Sequence, residues 1–325
     1  MAVESAVNAV VLGQREAVRL LTIATFARGH VLLEGDVGVG KTTVLRALAR
    51  AIGGAFERIE GTVDLMPSDL VYYTYVNEEG RPHVDPGPLL KAGEDLSVFF
   101  FNEINRARPQ VHSLMLRVMA ERAMSGFNRL YRLPHLQVFA DRNRVEKDET
   151  YEIPAAARDR FLMEITIETP HDTEIQRALM TDPRFHDTDV LIEQIAPCID
   201  DFRALNALAA EVQQRVATTA TLERYALDLC IATRDPGRYG VRLSDVPVDE
   251  VVQAGMSPRG MSMVLRAARV AAWLDGRDSV LPEDLHTVFR TTATHRVFLT
   301  PVYEMRRSEV APALISAIME AVAAP

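Results

Sequence analysis

The sequence predicts an α/β domain, a parallel sheet flanked by helices, followed by an all-α domain. Three observations predict it. An apolar strand pattern at His30-Val31-Leu32-Leu33-Glu34 runs into a glycine-rich loop and then a helical pattern from Thr43. A second apolar run, Ser97-Val98-Phe99-Phe100-Phe101, ends in Asn102-Glu103, the pattern of a central parallel strand with chemistry at its C-terminal end. Beyond Pro170 nearly every segment has helical spacing. The 325 residues allow two domains, 1–170 and 171–325.

Composition bounds the class. Hydrophobic content of 48% and charged content of 25% are those of a soluble globular chain. A net charge of −9 argues against a nucleic-acid coat, although a local basic pore stays compatible with it. The N-terminus lacks a signal-peptide pattern, and no apolar run reaches the ~20 residues of a spanning helix. These features predict a cytoplasmic chain without a membrane span. Cys198 and Cys230 sit in helix-like stretches without metal spacing, and read as buried free thiols in a reducing compartment.

In chain order, Arg15 to Arg28 has the spacing of an amphipathic helix, with a turn at Val11-Leu12-Gly13-Gln14 ahead of it. That turn either packs on a ligand or merely starts the helix. Gly35-Asp36-Val37-Gly38-Val39-Gly40-Lys41-Thr42-Thr43 then matches G-x-x-x-x-G-K-T between a strand and a helix. Glycines let the backbone wrap an anion with N–H groups inward, and the helix N-terminus adds partial positive charge. Lys41 would reach terminal phosphates and Thr42 would present a hydroxyl to Mg²⁺. Phe56 to Gly61 is the next strand. Tyr72-Tyr73-Thr74-Tyr75-Val76 and the turn Asn77–Gly80 predict a small hairpin whose tyrosines are either a contact surface or ordinary packing.

The strand at Ser97 leads to Glu103, and Gln110 to Arg122 has helical periodicity with core methionines. Ala123 to Pro134 reads as a second hairpin, its Phe127, Arg129 and Arg132 facing either a pore or solvent. Leu136 to Ala140 is a further strand, after which a polar side chain of Asp141-Arg142-Asn143 would lie beside Glu103. Pro154 to Arg160 is helical, and Phe161 to Ile167 is the last strand. Helices follow at 172–180, 200–216, 222–234, 257–274, 282–292 and 305–322, interrupted by an irregular loop at 236–254. Ser257 is a good N-cap and Pro258 suits the first helical position. Arg259 then opposes the helix dipole, which suits either a solvated side chain or an anion brought from elsewhere.

On these residues the sequence resembles the MoxR family of AAA+ ATPases, P-loop NTPases with an α-helical lid. The similarity runs through most of the chain. It is carried by Val11-Leu12-Gly13-Gln14, the phosphate loop, Leu65-Met66-Pro67-Ser68-Asp69-Leu70, Gly87-Pro88-Leu89, Glu103-Ile104-Asn105-Arg106-Ala107, Asp159-Arg160-Phe161, Ser257-Pro258-Arg259 and Pro282-Glu283-Asp284. The resemblance implies ATP and Mg²⁺ as ligands, with Thr42 and position 102 on the metal side. It implies that Glu103 orients the attacking water, that Asn143 is the sensor asparagine, that Arg160 is a finger completing a neighbour's site, and that Arg259 is the lid arginine. It further implies a homo-hexameric ring with chaperone-like action on partner proteins, often ones with a von Willebrand factor A domain.

The departures matter. Such a strand usually ends Asp-Glu, but here Asn102 stands in the aspartate's place. At ~4 Å from Mg²⁺ that charge is worth roughly 2–8 kcal/mol of gross Coulomb energy. Weakened metal binding or slowed turnover is therefore expected, and an assembly scaffold with little hydrolysis is the rival reading. Asp141-Arg142-Asn143-Arg144 replaces a more usual T-Q-N-P, and Ala155-Ala156-Ala157-Arg158 replaces E-A-Q-L.

Overall fold

The computed structural model describes residues 2–143, 151–244 and 246–325. Arg144, part of the departure noted above, lies outside the described residues. The chain divides into two compact units: Met1–Arg160 with Ile165–Asn206, and Phe161–Glu164 with Ala207–Pro325.

The first unit opens with α1 (Ala2–Asn8) and α2 (Arg15–Phe26), then β1 (His30–Glu34), α3 (Lys41–Ile52) and β2 (Ala55–Glu60). β3 (Tyr72–Val76) and β4 (Pro82–Pro86) form an antiparallel hairpin, Tyr73 opposite Asp85. β5 (Leu96–Asn102), α4 (Pro109–Glu121), the hairpin β6 (Ala123–Gly126) and β7 (Arg129–Arg132), β8 (Gln137–Arg142), α5 (Ala155–Arg158) and β9 (Phe161–Thr166), of which Phe161–Glu164 count with the second unit, complete the α/β part. The sheet order is β2-β5-β8-β1-β9, and β2–β5, β5–β8 and β1–β8 pair in parallel. A strand with a neighbour on each side and helices over its faces must be apolar along its middle. β5 meets that demand: Val98, Phe99, Phe100 and Phe101 are fully buried. Crossovers carry the chain back between parallel strands, so the C-terminal ends of β1, β5 and β8 lie along one sheet edge. Met115 and Met119 of α4 are buried, as core filler. α6 (Thr173–Thr181) and the short α7 (Thr188–Glu193) follow within this unit.

The turn at Val11–Gln14 is packed against its own unit: Gln14 Nε2 donates to the Glu168 carbonyl at 2.5 Å. Gln14 immediately precedes α2. Both hairpins anticipated from turn chemistry are present. The packing reading of the tyrosines is corrected, because Tyr72, Tyr73 and Tyr75 are all exposed. A free-standing two-stranded ribbon has no covered face on which to bury them.

The second unit contains α9 (Ala220–Ala232), reached through α8 (Leu205–Arg215), then α10 (Val248–Val251), β10 (Val252–Ala254), α11 (Pro258–Leu274), α12 (Pro282–Ala293), β11 (Phe298–Leu299), α13 (Pro301–Glu304) and α14 (Arg307–Ala321). α9, α11, α12 and α14 pack on one another through Leu229, Val264, Ala268, Leu285, Phe289, Leu314 and Ile318. The turn between α11 and α12 is locked by Arg277, whose two terminal nitrogens each donate to Asp284 at 2.6 Å. Such bidentate pairs are geometrically specific. Two short segments correct the purely helical expectation: β10 and β11 pair antiparallel inside the stretch expected to be irregular or helical. Strands of three and two residues are too short to show an alternation. α7 and α10 escaped notice for the same reason.

Cys230 is buried in α9, and burial pushes its thiol up to about 12. Cys198 corrects the sequence reading: it is half-buried in a bend outside any helix. Among the described residues no helix is long and apolar enough to cross a membrane.

Candidate functional site

The site is built where β1, β5 and β8 end. β1 leads directly into the loop Gly35–Gly40, and α3 begins at Lys41. Gly40 takes φ +90° as the residue before α3, and Gly38 takes φ +81°, the left-handed region that side chains resist. A Cβ at either would meet nothing within 4 Å, so both glycines border open space. Gly35 is needed for closeness instead: a Cβ there would lie 2.4 Å from the Ile167 carbonyl oxygen. Asp36 and Val37 are exposed at the tip, while Val39, Thr42 and Thr43 are half-buried. Arg142 at the end of β8 pairs with Glu34 at the end of β1 at 3.1 Å, fixing the strand from which the loop departs.

Lys41 is held, not waving. Its side chain is buried, and Nζ donates to the Gly35 carbonyl at 2.8 Å, the Asp36 carbonyl at 3.0 Å and Asn143 Oδ1 at 2.6 Å. Asn143 in turn donates from Nδ2 to Glu103 Oε1 at 3.2 Å. The other Glu103 oxygen accepts from Arg106 at 3.0 Å. One chain of hydrogen bonds thus connects the phosphate loop, the residue after β8 and the residue after β5. Glu103 itself sits at φ +52°, an uncommon backbone for a non-glycine residue. That turn swings its carboxylate away from the line of β5 and toward Asn143.

The sequence reading placed one polar side chain of Asp141-Arg142-Asn143 beside Glu103 without choosing among them, and the resemblance chose Asn143. Asp141 is only 1% exposed, yet its carboxylate is the hub of this region. Oδ1 accepts from the Glu103 backbone N–H at 2.5 Å, and Oδ2 lies 3.6 Å from Lys41 Nζ. Burial raises its carboxyl pKa above the usual value, while the Glu103 amide and Lys41 pull it back. The available signal was an acidic residue ending an otherwise apolar strand, where burying a charge requires a partner.

Asn102 is buried at the end of β5, and its carbonyl accepts from the Gly61 N–H at 2.7 Å. Arg160 follows α5 and donates to the Ala156 carbonyl at 3.1 Å. Arg259 belongs to the second unit, exposed in the first turn of α11. Ser257 caps that helix, its hydroxyl accepting from the Gly260 N–H at 3.1 Å. The structure therefore brings Lys41, Asn143 and Glu103 together, with Asp141 at their centre.

The donor set fits a triphosphate with a hard cation. Open space lined by loop backbone, a lysine and a helix N-terminus suits phosphate oxygens. Mg²⁺ takes oxygen ligands, commonly one or two carboxylates alongside substrate phosphates and water. Thr42 and the neighbouring acids supply such oxygens. Among the described residues no group of three or more His, Cys, Asp or Glu is placed to hold a metal ion.

Comparisons with known proteins agree. A family profile described as "ATPase family associated with various cellular activities (AAA)" matches residues 30–163, and an AAA lid domain profile matches 247–322. Protein MoxR of Methylorubrum extorquens is 60% identical, covering 97% of this chain and 92% of its own. Protein MoxR of Paracoccus denitrificans is 55% identical, covering 99% and 95%. Chaperone MoxR1 of Mycobacterium tuberculosis is 33% identical, covering 98% and 80%. A crystal structure from Cytophaga hutchinsonii, described as a candidate ATPase, superposes with a TM-score of 0.84 at 29% identity over 99% of this chain and 94% of that one. Phosphate loop, sheet order and lid profile converge with these relatives: the chain belongs to the MoxR family of AAA+ ATPases.

Proposed function

We propose that this protein binds ATP with Mg²⁺ and hydrolyses it in a homo-hexameric ring. The cycle drives chaperone-like remodelling or activation of a partner protein, one with a von Willebrand factor A domain. The observation that carries the nucleotide reading is the hydrogen-bonded chain Lys41–Asn143–Glu103 beside the open glycine loop. The chaperone part is supported by likeness to the mycobacterial protein named a chaperone. The ring and the von Willebrand factor A partner come from the family resemblance.

In this reading the loop amides of residues 35–40 and the N-terminus of α3, with Thr42 and Thr43, cradle the phosphates. Lys41 exchanges its protein acceptors for phosphate oxygens. Thr42 and the Asn102 amide oxygen face the metal side. Bound Mg²⁺ supplies charge stabilisation on the transferring phosphoryl group. Glu103 turns from Arg106 or Asn143 to orient the attacking water, and Asn143 keeps that water in line. Arg160 from an adjoining subunit offsets transition-state charge; such fingers are worth about 10³–10⁵ in rate. Arg259 couples a helical lid, residues 171–325, to the nucleotide state of a core formed by 1–170. The reading places the protein in the cytoplasm, where ATP is supplied, and gives it no role on nucleic acid.

Steady-state phosphate release at saturating Mg·ATP tests it. The wild type turns over, while Glu103→Gln binds ATP and does not, and a pull-down on that trapped variant retains the client. Asn102 favours one rival, a nucleotide-dependent scaffold. If ATP drives assembly in light scattering while wild-type release is no faster than that of Glu103→Gln, the scaffold reading replaces hydrolysis.

A further inference from the structure

The β5–β8 register pairs Phe101 with Ala140, so the next residues in line are Asn102 and Asp141. Laterally adjacent residues of parallel strands present their side chains on the same face. Where the resemblance leads one to expect an acid on β5 and a threonine on β8, this chain has an amide on β5 and an acid on β8. The count of carboxylates is kept, and the charge has moved over by one strand.

The surroundings of Asp141 give that move a purpose. Its carboxylate is buried, with one backbone N–H and the Lys41 ammonium as its described counterparts. A buried carboxylate that loses its cation is strongly disfavoured. Lys41 is also the residue that a phosphate would draw away, since its Nζ already stands at the mouth of the glycine loop on the Gly35 and Asp36 carbonyls. Once Lys41 turns to phosphate, Asp141 needs a second positive charge. The divalent ion that accompanies the nucleotide supplies one.

We propose that Asp141, and not position 102, is the carboxylate that answers the divalent cation of a bound nucleotide. This rests on the nucleotide-binding reading above. In the free protein Asp141 stores Lys41; in the loaded protein it faces the hydrated cation, and its hold on the Glu103 amide ties that event to the glutamate. Asn102 offers a neutral oxygen beside it.

The test uses the whole chain and a fluorescent ATP analogue, titrated first in EDTA and then with rising Mg²⁺. The wild type binds in EDTA and gains affinity with Mg²⁺. In Asp141→Asn and Asp141→Thr the Mg²⁺-dependent gain falls by about tenfold or more, as expected for removal of one charge near the cation. Their affinity in EDTA is unchanged or higher, because a negative charge near the triphosphate is gone. Threonine is the residue the family resemblance leads one to expect there, so that variant keeps the proposal testable if the asparagine variant does not fold. Adding Asn102→Asp to either variant restores the gain, whereas Asn102→Asp in the wild type adds little. A Mg²⁺ gain that survives the loss of Asp141 overturns this proposal and leaves nucleotide binding standing. A wild type that binds no analogue in either condition overturns the nucleotide reading, and this one falls with it.

Discussion

The phosphate loop and the β3–β4 hairpin are both short turns on the first unit, and the protein treats their side chains in opposite ways. Lys41 at the loop is enclosed and committed to three hydrogen bonds. On the hairpin every residue of both strands is exposed, including Tyr73 and Val76. Tyr72 reaches Phe127 of the second hairpin with ring centroids 5.7 Å apart, so apolar groups of the two hairpins meet in the open. Charges act strongly only where water is excluded, and Lys41, unlike Asp36 at the exposed loop tip, is walled in. A solvated ribbon contributes little to its own unit's core, so apolar groups kept on it cost that unit little when changed.

That contrast can be broken or sharpened by mutation. The largest effect is expected away from both regions, at Arg160. Arg160→Ala lowers phosphate release by about 10³-fold or more while analogue binding barely changes. Unimpaired turnover would remove the finger from the mechanism. Next, Lys41→Ala weakens ATP-analogue binding by roughly 10–100-fold, the worth of charge-assisted hydrogen bonds to phosphate. A variant that binds as well as the wild type would make the enclosed loop as inconsequential as the hairpin.

A smaller effect concerns pH. Burial, the largest influence on Asp141, holds its carboxyl above the ordinary 3.8. A carboxyl with a raised folded pKa binds its proton more tightly folded than unfolded. Its contribution to stability is complete below the unfolded pKa and is lost as pH rises through the folded one. In urea unfolding, the stability of Asp141→Asn relative to wild type therefore improves from about pH 4 toward neutrality. A pH-independent difference would place Asp141 in a better-solvated setting than the one described. Smallest of all, Tyr73→Ser and Tyr75→Ser shift unfolding free energy by only about 0.5 kcal/mol. A loss of 2 kcal/mol or more would show that the hairpin is part of the core after all. Thiol titration gives a further contrast: Cys198 reacts in the native protein, whereas Cys230, held protonated by burial, reacts only on unfolding.

Most of the architecture was legible in the order of residues. The phosphate loop, the apolar run of β5, the two hairpin turns and the Ser257-Pro258 helix start each announce themselves in consecutive residues, because one local constraint fixes each of them. That a polar side chain of Asp141-Arg142-Asn143 would lie beside Glu103 could be foreseen from the two strand ends, but not which one or through which atoms. What escaped notice was either too short to carry a period, as with β10 and β11, or depended on a contact between distant segments.

Asp141 is the clearest of these. By itself the sequence determined the motif, the strand and helix types and the amide at position 102, since composition and spacing within a dozen residues suffice for them. Only the tertiary structure decided that the acid on β8 lies beside that amide, 3.6 Å from Lys41 and on the Glu103 backbone. Register between parallel strands is set by packing across the whole sheet, so no stretch of consecutive residues encodes which side chains it will seat together.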